Sequence, residues 1–240
     1  MRLTDFKALS FGCYGTLIDR DSGLYAALQP LLSAGNISLP RDEVIAALVR
    51  HEVAQQSETP AMVYSRVLME AHRRLAREWG ALLSDDSHAL FGQSVAHWPV
   101  FADAPAALQY LKRFYKLAVL SNVDKESFAG TARRLEVRFD AVFTAEEIGS
   151  YKPDPRNFEH LIEGLGKAGI ARQEILHVAT SLPRDQVPAS SCGIAFAWID
   201  RPREPGGARA GGALARAKGP HFRFASMVDM VKAHQEELFA

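Results

Sequence analysis

Four clusters of polar residues, each close behind a short apolar run, carry the chemistry this chain offers: Gly12 to Thr16, Ser121 with Asn122, Lys152, and Thr180 to Asp185. They hold hydroxyls, an amide, an ammonium and a carboxylate. Gathered on one rim, such a set suits binding of a small polar molecule and transfer of a proton. Rival chemistries are poorly served. Cys13 and Cys192 are too few for a disulfide framework. Cys13 reads as a buried small hydrophobe, with no histidine near it in sequence to activate the thiol. None of the eight histidines, His51, His72, His88, His97, His160, His177, His221 and His234, forms a helical pair of the zinc-binding kind. Surface or structural roles are expected of them, and no metal or other cofactor is implied.

The apolar runs that precede the clusters are strand-like: Ala8 to Cys13, Leu117 to Leu120, Ala141 to Phe143, Ile175 to Ala179 and Ala195 to Ile199. Helical patterns separate most of them, an order that predicts a parallel sheet covered on both faces. In such sheets ligands bind beyond the carboxyl ends of the strands, where the four clusters fall. The first two runs are about a hundred residues apart, with helical segments near Asp21–Ser33, Arg41–Gln56, Ala61–Trp79 and Ser84–His97 and no convincing strand. The expected fold is α/β: a Rossmann-like parallel core of residues 1–17 and 99–240, with an inserted α-helical cap domain of residues 18–98.

Helix punctuation supports these boundaries. Pro40 and Pro60 precede two helices, Asp103 with Pro105 opens the one leading to Leu117, and Ser226 with Asp229 resembles a cap for the last. Residues 201–220 hold five glycines, three prolines and five basic residues, which reads as a mobile surface loop or, less simply, a basic phosphate-binding patch.

Composition excludes several classes of partner. Hydrophobic residues make up 48% and charged residues 23%, as in an ordinary globular chain. Lysine plus arginine equal aspartate plus glutamate at 28 each, so no net field draws nucleic acid or an anionic membrane. The amino-terminal residues lack the continuous apolar stretch of a signal peptide, and no window approaches a membrane span. A cytoplasmic protein acting on a small molecule is expected, with a homodimer left open by an apolar stripe on the cap.

The motifs YGTLID, LSNVD, GSYKPDPRNF and VATSLPRD, in this order and spacing, resemble those of the haloacid dehalogenase superfamily over most of the chain. In that family the first motif begins with an aspartate that attacks the substrate; the corresponding position here is Gly12. Phosphatases of the superfamily place a second aspartate two residues later and further acidic residues after the fourth strand to hold magnesium. Tyr14 and Thr180 occupy those positions, and only Asp185 remains as an acidic ligand, so a magnesium-dependent phosphatase is disfavoured. Tyr14-Gly15-Thr16 instead resembles the metal-independent branch that displaces halide from 2-haloacids.

In that branch an aspartate attacks the carbon bearing the leaving group, and water hydrolyses the resulting ester. The resemblance implies that Thr16 orients the nucleophile, that Lys152 stabilises its charge and the developing anion, and that Asp185 positions or activates the water. Tyr14, Ser121, Asn122, Phe158 and Ser181 would form the substrate pocket around a small carboxylic acid. Arg50 on the cap would complete it, with Arg20 as its rival. Each has a plainer reading: Lys152 with Asp185 as a structural ion pair, Ser121 and Asn122 as helix caps, Arg50 as a solvated side chain, Phe158 as core.

Without a carboxylate at position 12 no ester can form, a loss that can cost on the order of a millionfold in turnover. Gly12 is then either a substitution that disables an ordinary enzyme or the mark of a protein that binds without turning over. The otherwise complete constellation favours the first. Related members of the branch open a strained carbon–nitrogen ring in a small cyclic amino acid, and the residues after the first motif do not decide between that reaction and dehalogenation.

Overall fold

The computed structural model describes residues 1–201 and 219–240. Most of the glycine-rich stretch at 201–220 therefore lies outside the described residues. Six parallel strands form one sheet in the order β3-β2-β1-β4-β5-β6: β1 (Ala8–Phe11), β2 (Lys116–Ser121), β3 (Ala141–Thr144), β4 (Ile175–Ala179), β5 (Ala195–Ile199) and β6 (Phe222–Phe224). The chain runs from β1 outward through β2 to β3, then returns to the other side of β1 with β4. The crevice between β1 and β4 is thus the topological switch point.

Alternation along the strands builds two cores. Leu9, Phe11, Leu117, Val119, Leu176 and Val178 pack with Leu108 and Leu111 of α6 (Ala104–Leu111) and Met227 and Met230 of α11 (Met227–Phe239). Ala8, Ala118, Leu120, Ile175, Ala179 and Phe196 pack instead with Phe158, Leu161 and Leu165 of α9 (Arg156–Lys167). Both faces being covered, the strand interiors read as nearly continuous apolar runs.

Between β1 and β2 come α1 (Arg20–Ala27), α2 (Gln29–Ala34), α3 (Arg41–Glu58), α4 (Tyr64–Glu78) and α5 (Asp85–Gln93), followed by a 3-10 turn over Ser94–His97. Inward-facing residues of α4, Tyr64, Val67, Leu68, Ala71 and Leu75, recur every three or four positions and are buried. Where the chain enters and leaves this insertion, its two segments run antiparallel: Phe101 N–H donates to Leu17 O at 3.0 Å and Asp19 N–H to Pro99 O at 2.8 Å. Two contacts tie the start of α4 to the sheet-bearing part. Asp124 accepts from Ser127 N–H at the start of α7 (Lys125–Arg134) and from Ser65 N–H of α4, while the Tyr151 hydroxyl donates to Met62 O at 2.5 Å.

Several local expectations change. The first strand ends at Phe11, although Gly12 N–H still bonds Val178 O. The Ser84–His97 pattern is an α-helix and a 3-10 turn, with Ser84 capping the former through Ser87 N–H. Asp103 does not cap α6; its carboxylate instead takes Arg201 and the Met227 N–H. Neither Ser121 nor Asn122 caps α7, because Asp124 does. Ser226 caps α11 through Asp229 N–H, as its spacing suggests.

Candidate active site

The loop after β1 turns back at Gly15, whose φ of +91° is a conformation that side-chain-bearing residues rarely adopt. Thr16 follows, and Gly15 and Thr16 together are tied down by Thr180 and Arg201. Thr16 Oγ1 accepts from Thr180 N–H at 3.0 Å, the Thr180 hydroxyl donates to Gly15 O at 2.9 Å, and Arg201 donates twice to Thr16 O, at 3.0 and 2.7 Å. The Arg201 guanidinium lies over the Phe101 ring and also binds Asp103. The Thr180 loop is anchored in turn by Trp198, whose indole N–H donates to Thr180 O at 3.0 Å.

Gly12 faces this loop. A Cβ built on it would stand 3.0 Å from the Ala179 Cβ, 3.4 Å from Asp185 Oδ1 and 3.6 Å from Asp185 Oδ2. Its backbone does not use the left-handed region, so the chain path itself makes no demand for glycine here.

Lys152 and Asp185 meet beside that position. Lys152 Nζ donates to Asp185 Oδ1 at 2.5 Å and to Leu120 O at 2.6 Å, and both side chains are buried. Asp185 comes from a π-helical turn, Leu182–Gln186, that follows β4 and whose Arg184 N–H donates to Ser181 Oγ. A further partner was not foreseen: His177 of β4 brings Nε2 to 3.0 Å from Asp185 Oδ1, and its Nδ1 lies 2.5 Å from Ser10 Oγ. Burial on its own would raise the Asp185 carboxyl, but the Lys152 charge and the His177 hydrogen bond bring it down to about 2. It is a carboxylate throughout the neutral range.

The other expected residues divide. Asn122 acts as a clamp on Lys152, donating to its carbonyl at 3.0 Å and accepting from its N–H at 2.7 Å. Ser121 is buried at the end of β2. The Tyr14 hydroxyl meets Thr131 Oγ1 at 3.0 Å and its ring meets Trp98 edge-on; burial holds the phenol well above its usual range. Phe158 is fully buried and packs edge-on against His177 at 5.0 Å, which places it in the core. Cys13 is likewise buried, and burial pushes its thiol up, leaving it unreactive.

Arg50 does not join the cluster. Its side chain is 61% exposed and binds Glu78 on the outer surface. Glu52, two positions on, faces inward and is buried, because a two-residue step rotates about 200° around a helix. The rival Arg20 is the one turned inward, its side chain 13% exposed: it pairs with Glu52, which also accepts from the Tyr64 hydroxyl at 3.3 Å. Burial works against the charge on Arg20, and Glu52 more than restores it. Tyr64 is within electrostatic reach of Tyr14 and of Arg184, so this ionic cluster adjoins the first loop and the π-helical turn. Among the described residues, no group of three or more histidine, cysteine or acidic side chains is placed to hold a metal ion.

A parallel sheet whose polar groups gather at the β1–β4 switch point, with a helical insertion after β1, is the framework of a hydrolase family. The sequence model of the haloacid dehalogenase-like hydrolases matches residues 6–179, and the chain belongs to that family. It is 26% identical over 204 residues to an (S)-2-haloacid dehalogenase of Pseudomonas sp. (strain YL), covering 81% of this chain and 83% of that protein. An (S)-2-haloacid dehalogenase of Pseudomonas fluorescens is 26% identical over 141 residues, or 58% of this chain and 60% of that protein. In fold, the chain is similar to the L-2-haloacid dehalogenase of Xanthobacter autotrophicus with chloropropionic acid covalently bound, with a TM-score of 0.78 at 18% identity, covering 96% of this chain and 98% of that one. A defluorinating L-2-haloacid dehalogenase gives a TM-score of 0.80 at 18% identity, covering 96% of this chain and 95% of the other.

Proposed function

We propose that the scaffold is that of a metal-independent hydrolase of small 2-substituted carboxylic acids, and that Gly12 leaves the present chain able to bind such an acid without turning it over. One observation carries the reading: the Lys152–Asp185 pair stands beside the position from which a Gly12 side chain would project. A carboxylate there would lie within reach of the Lys152 charge. In the complete reaction it would attack C2, the halide would leave with the bonding electrons, and an ester would form. Water would then attack the ester carbonyl, yielding its proton towards Asp185 and releasing the 2-hydroxy acid. The likeness to haloacid dehalogenases supports halide as the leaving group.

The helices of residues 18–98 act in this reading as a cap over the strand ends, clasped through Asp124 and Tyr151. The role foreseen for Arg50 passes to Arg184. Its guanidinium has no ion-pair partner among the described residues, it is half-buried, and it directly precedes Asp185 on the π-helical turn. Calorimetry with 2-chloropropionate tests binding directly. Saturable uptake without chloride release is expected, and no uptake at millimolar ligand would sink the proposal.

A further inference from the structure

Ser10, His177 and Asp185 form a buried line that ends at the candidate site. Ser10 and His177 are register partners on β1 and β4. Ser10 lies two residues before Gly12, and His177 two before Ala179, the residue a Gly12 side chain would touch. Strand side chains two apart share a face, so the pair sits one pleat below the site. Both residues are 0% exposed.

For a neutral ring the hydrogen-bond pattern assigns the protons along the line. An ionised carboxylate only accepts, so the proton between His177 Nε2 and Asp185 Oδ1 belongs to the imidazole. Nδ1 must then accept, and the Ser10 hydroxyl supplies the donor at 2.5 Å. Burial holds His177 below its ordinary pKa against the opposing pull of Asp185, consistent with a neutral ring. Phe158 packs edge-on against that ring at 5.0 Å, leaving it little freedom to turn.

A serine, a histidine and an aspartate in hydrogen-bonded sequence also describe a nucleophilic triad. Here the order is reversed in depth: the serine is innermost and the carboxylate reaches the site, so Ser10 has no access to a substrate. What the line controls is the carboxylate. Lys152 and His177 both donate to Oδ1, whereas no hydrogen bond reaches Oδ2 among the described residues. Both oxygens face the position of a Gly12 Cβ, Oδ1 at 3.4 Å and Oδ2 at 3.6 Å, and Oδ2 is the one left able to accept.

We propose that Ser10 and His177 are a positioning pair for Asp185: the Ser10 hydroxyl anchors the imidazole at Nδ1, and His177 pins Oδ1 so that Oδ2 is presented to the proton of the attacking water. The assignment of that proton rests on the hydrolase reading given above. The pinning itself does not.

Two measurements separate the two. The first uses the chain as it stands and follows the Asp185 carboxyl carbon by NMR through an acid titration, with Lys152 and His177 as the charged and titratable groups facing it. His177→Phe removes the donor, and the titration midpoint should rise by about one pH unit. His177→Gln keeps an amide donor at similar reach and should restore most of the shift. An unmoved midpoint in His177→Phe would overturn the proposal and leave His177 a packing residue. Should His177→Phe fail to fold, Ser10→Ala keeps the ring and loses only the donor to Nδ1; a smaller rise in the same direction supports the pair, and none contradicts it. The second measurement uses Gly12→Asp as the parent. His177→Phe in that background should lower kcat roughly tenfold, the worth of one hydrogen bond to a charged group, with KM little changed and recovery in His177→Gln. If Gly12→Asp proves silent on every substrate, the hydrolase reading fails while the carbon titration still decides the positioning pair.

Discussion

The ammonium of Lys152 and the carboxylate of Asp185 meet at 2.5 Å beside the side-chain position that Gly12 leaves open. Two charges brought so deep are tolerated because each has further partners: Leu120 O for the lysine, His177 for the aspartate. Removing one member leaves the other as an unpaired buried charge, which typically costs 3–5 kcal/mol, or roughly half the stability of a domain.

Lys152→Met should therefore destabilise the chain by roughly 3–5 kcal/mol at pH 7 in urea denaturation. The penalty should narrow in acid, and the sign follows from the Asp185 carboxyl, held down at about 2 in the parent. A depressed carboxyl contributes stability that is present above its unfolded value of about 4 and is lost as pH falls towards 2. Parent and variant should converge across that window. A constant gap down to pH 2 would remove the ion pair as the cause.

The arginines make a second contrast. Arg50→Ala should change stability by less than about 0.5 kcal/mol and leave ligand uptake unaltered, since an exposed pair with Glu78 contributes little. Glu52→Gln leaves the largely covered Arg20 with only the exposed Asp21 as a carboxylate partner and should cost roughly 2 kcal/mol. Arg184→Met should weaken 2-chloropropionate binding about tenfold, a loss near the 1.4 kcal/mol that corresponds to that factor. Equal binding by the Arg184 variant and its parent would return the carboxylate anchor to the lysine and backbone donors alone.

Acid should destabilise the helical insertion. His72 and His88 bring their Nδ1 atoms to 2.8 Å, and His72 stacks on Phe91 at 4.3 Å. Burial, with help from His88, holds His72 down to about 3, against 6.5 for a free histidine. The native state thus binds fewer protons than the unfolded one between those values, and stability falls as pH drops through that window. The slope approaches 1.4 kcal/mol per pH unit, and His72→Phe should flatten it. Stability curves of the two chains that stay parallel from pH 6.5 to 4 would rule out His72 as the source.

Much of the architecture can be read from residues alone because strands covered on both faces leave uninterrupted apolar runs, and because strand ends in a parallel sheet are where polar residues gather. Lys152 and Asp185 were legible for that reason. What the sequence concealed depends on rotation and on distance in three dimensions. Arg50 and Glu52 lie on one helix, and only its roll decides which of them faces inward. Ser10 and His177 sit inside apolar runs, where a lone polar residue gives no sign of its partner across the sheet. Asp124 and Arg201 act on segments far away in sequence, Ser65 and Thr16 respectively. The three-residue β6 is too short to show a period.

On the proposed reading, one missing carboxylate separates this chain from a working hydrolase. A Cβ at position 12 would need Ala179 to yield by only a few tenths of an ångström, so Gly12→Asp should fold. The measurement is chloride release from L-2-chloropropionate, in excess chelator, by Gly12→Asp and by the unchanged chain side by side. Steady release by the variant and none above background by the parent is expected. A folded variant that binds the acid and releases no chloride would contradict that reading.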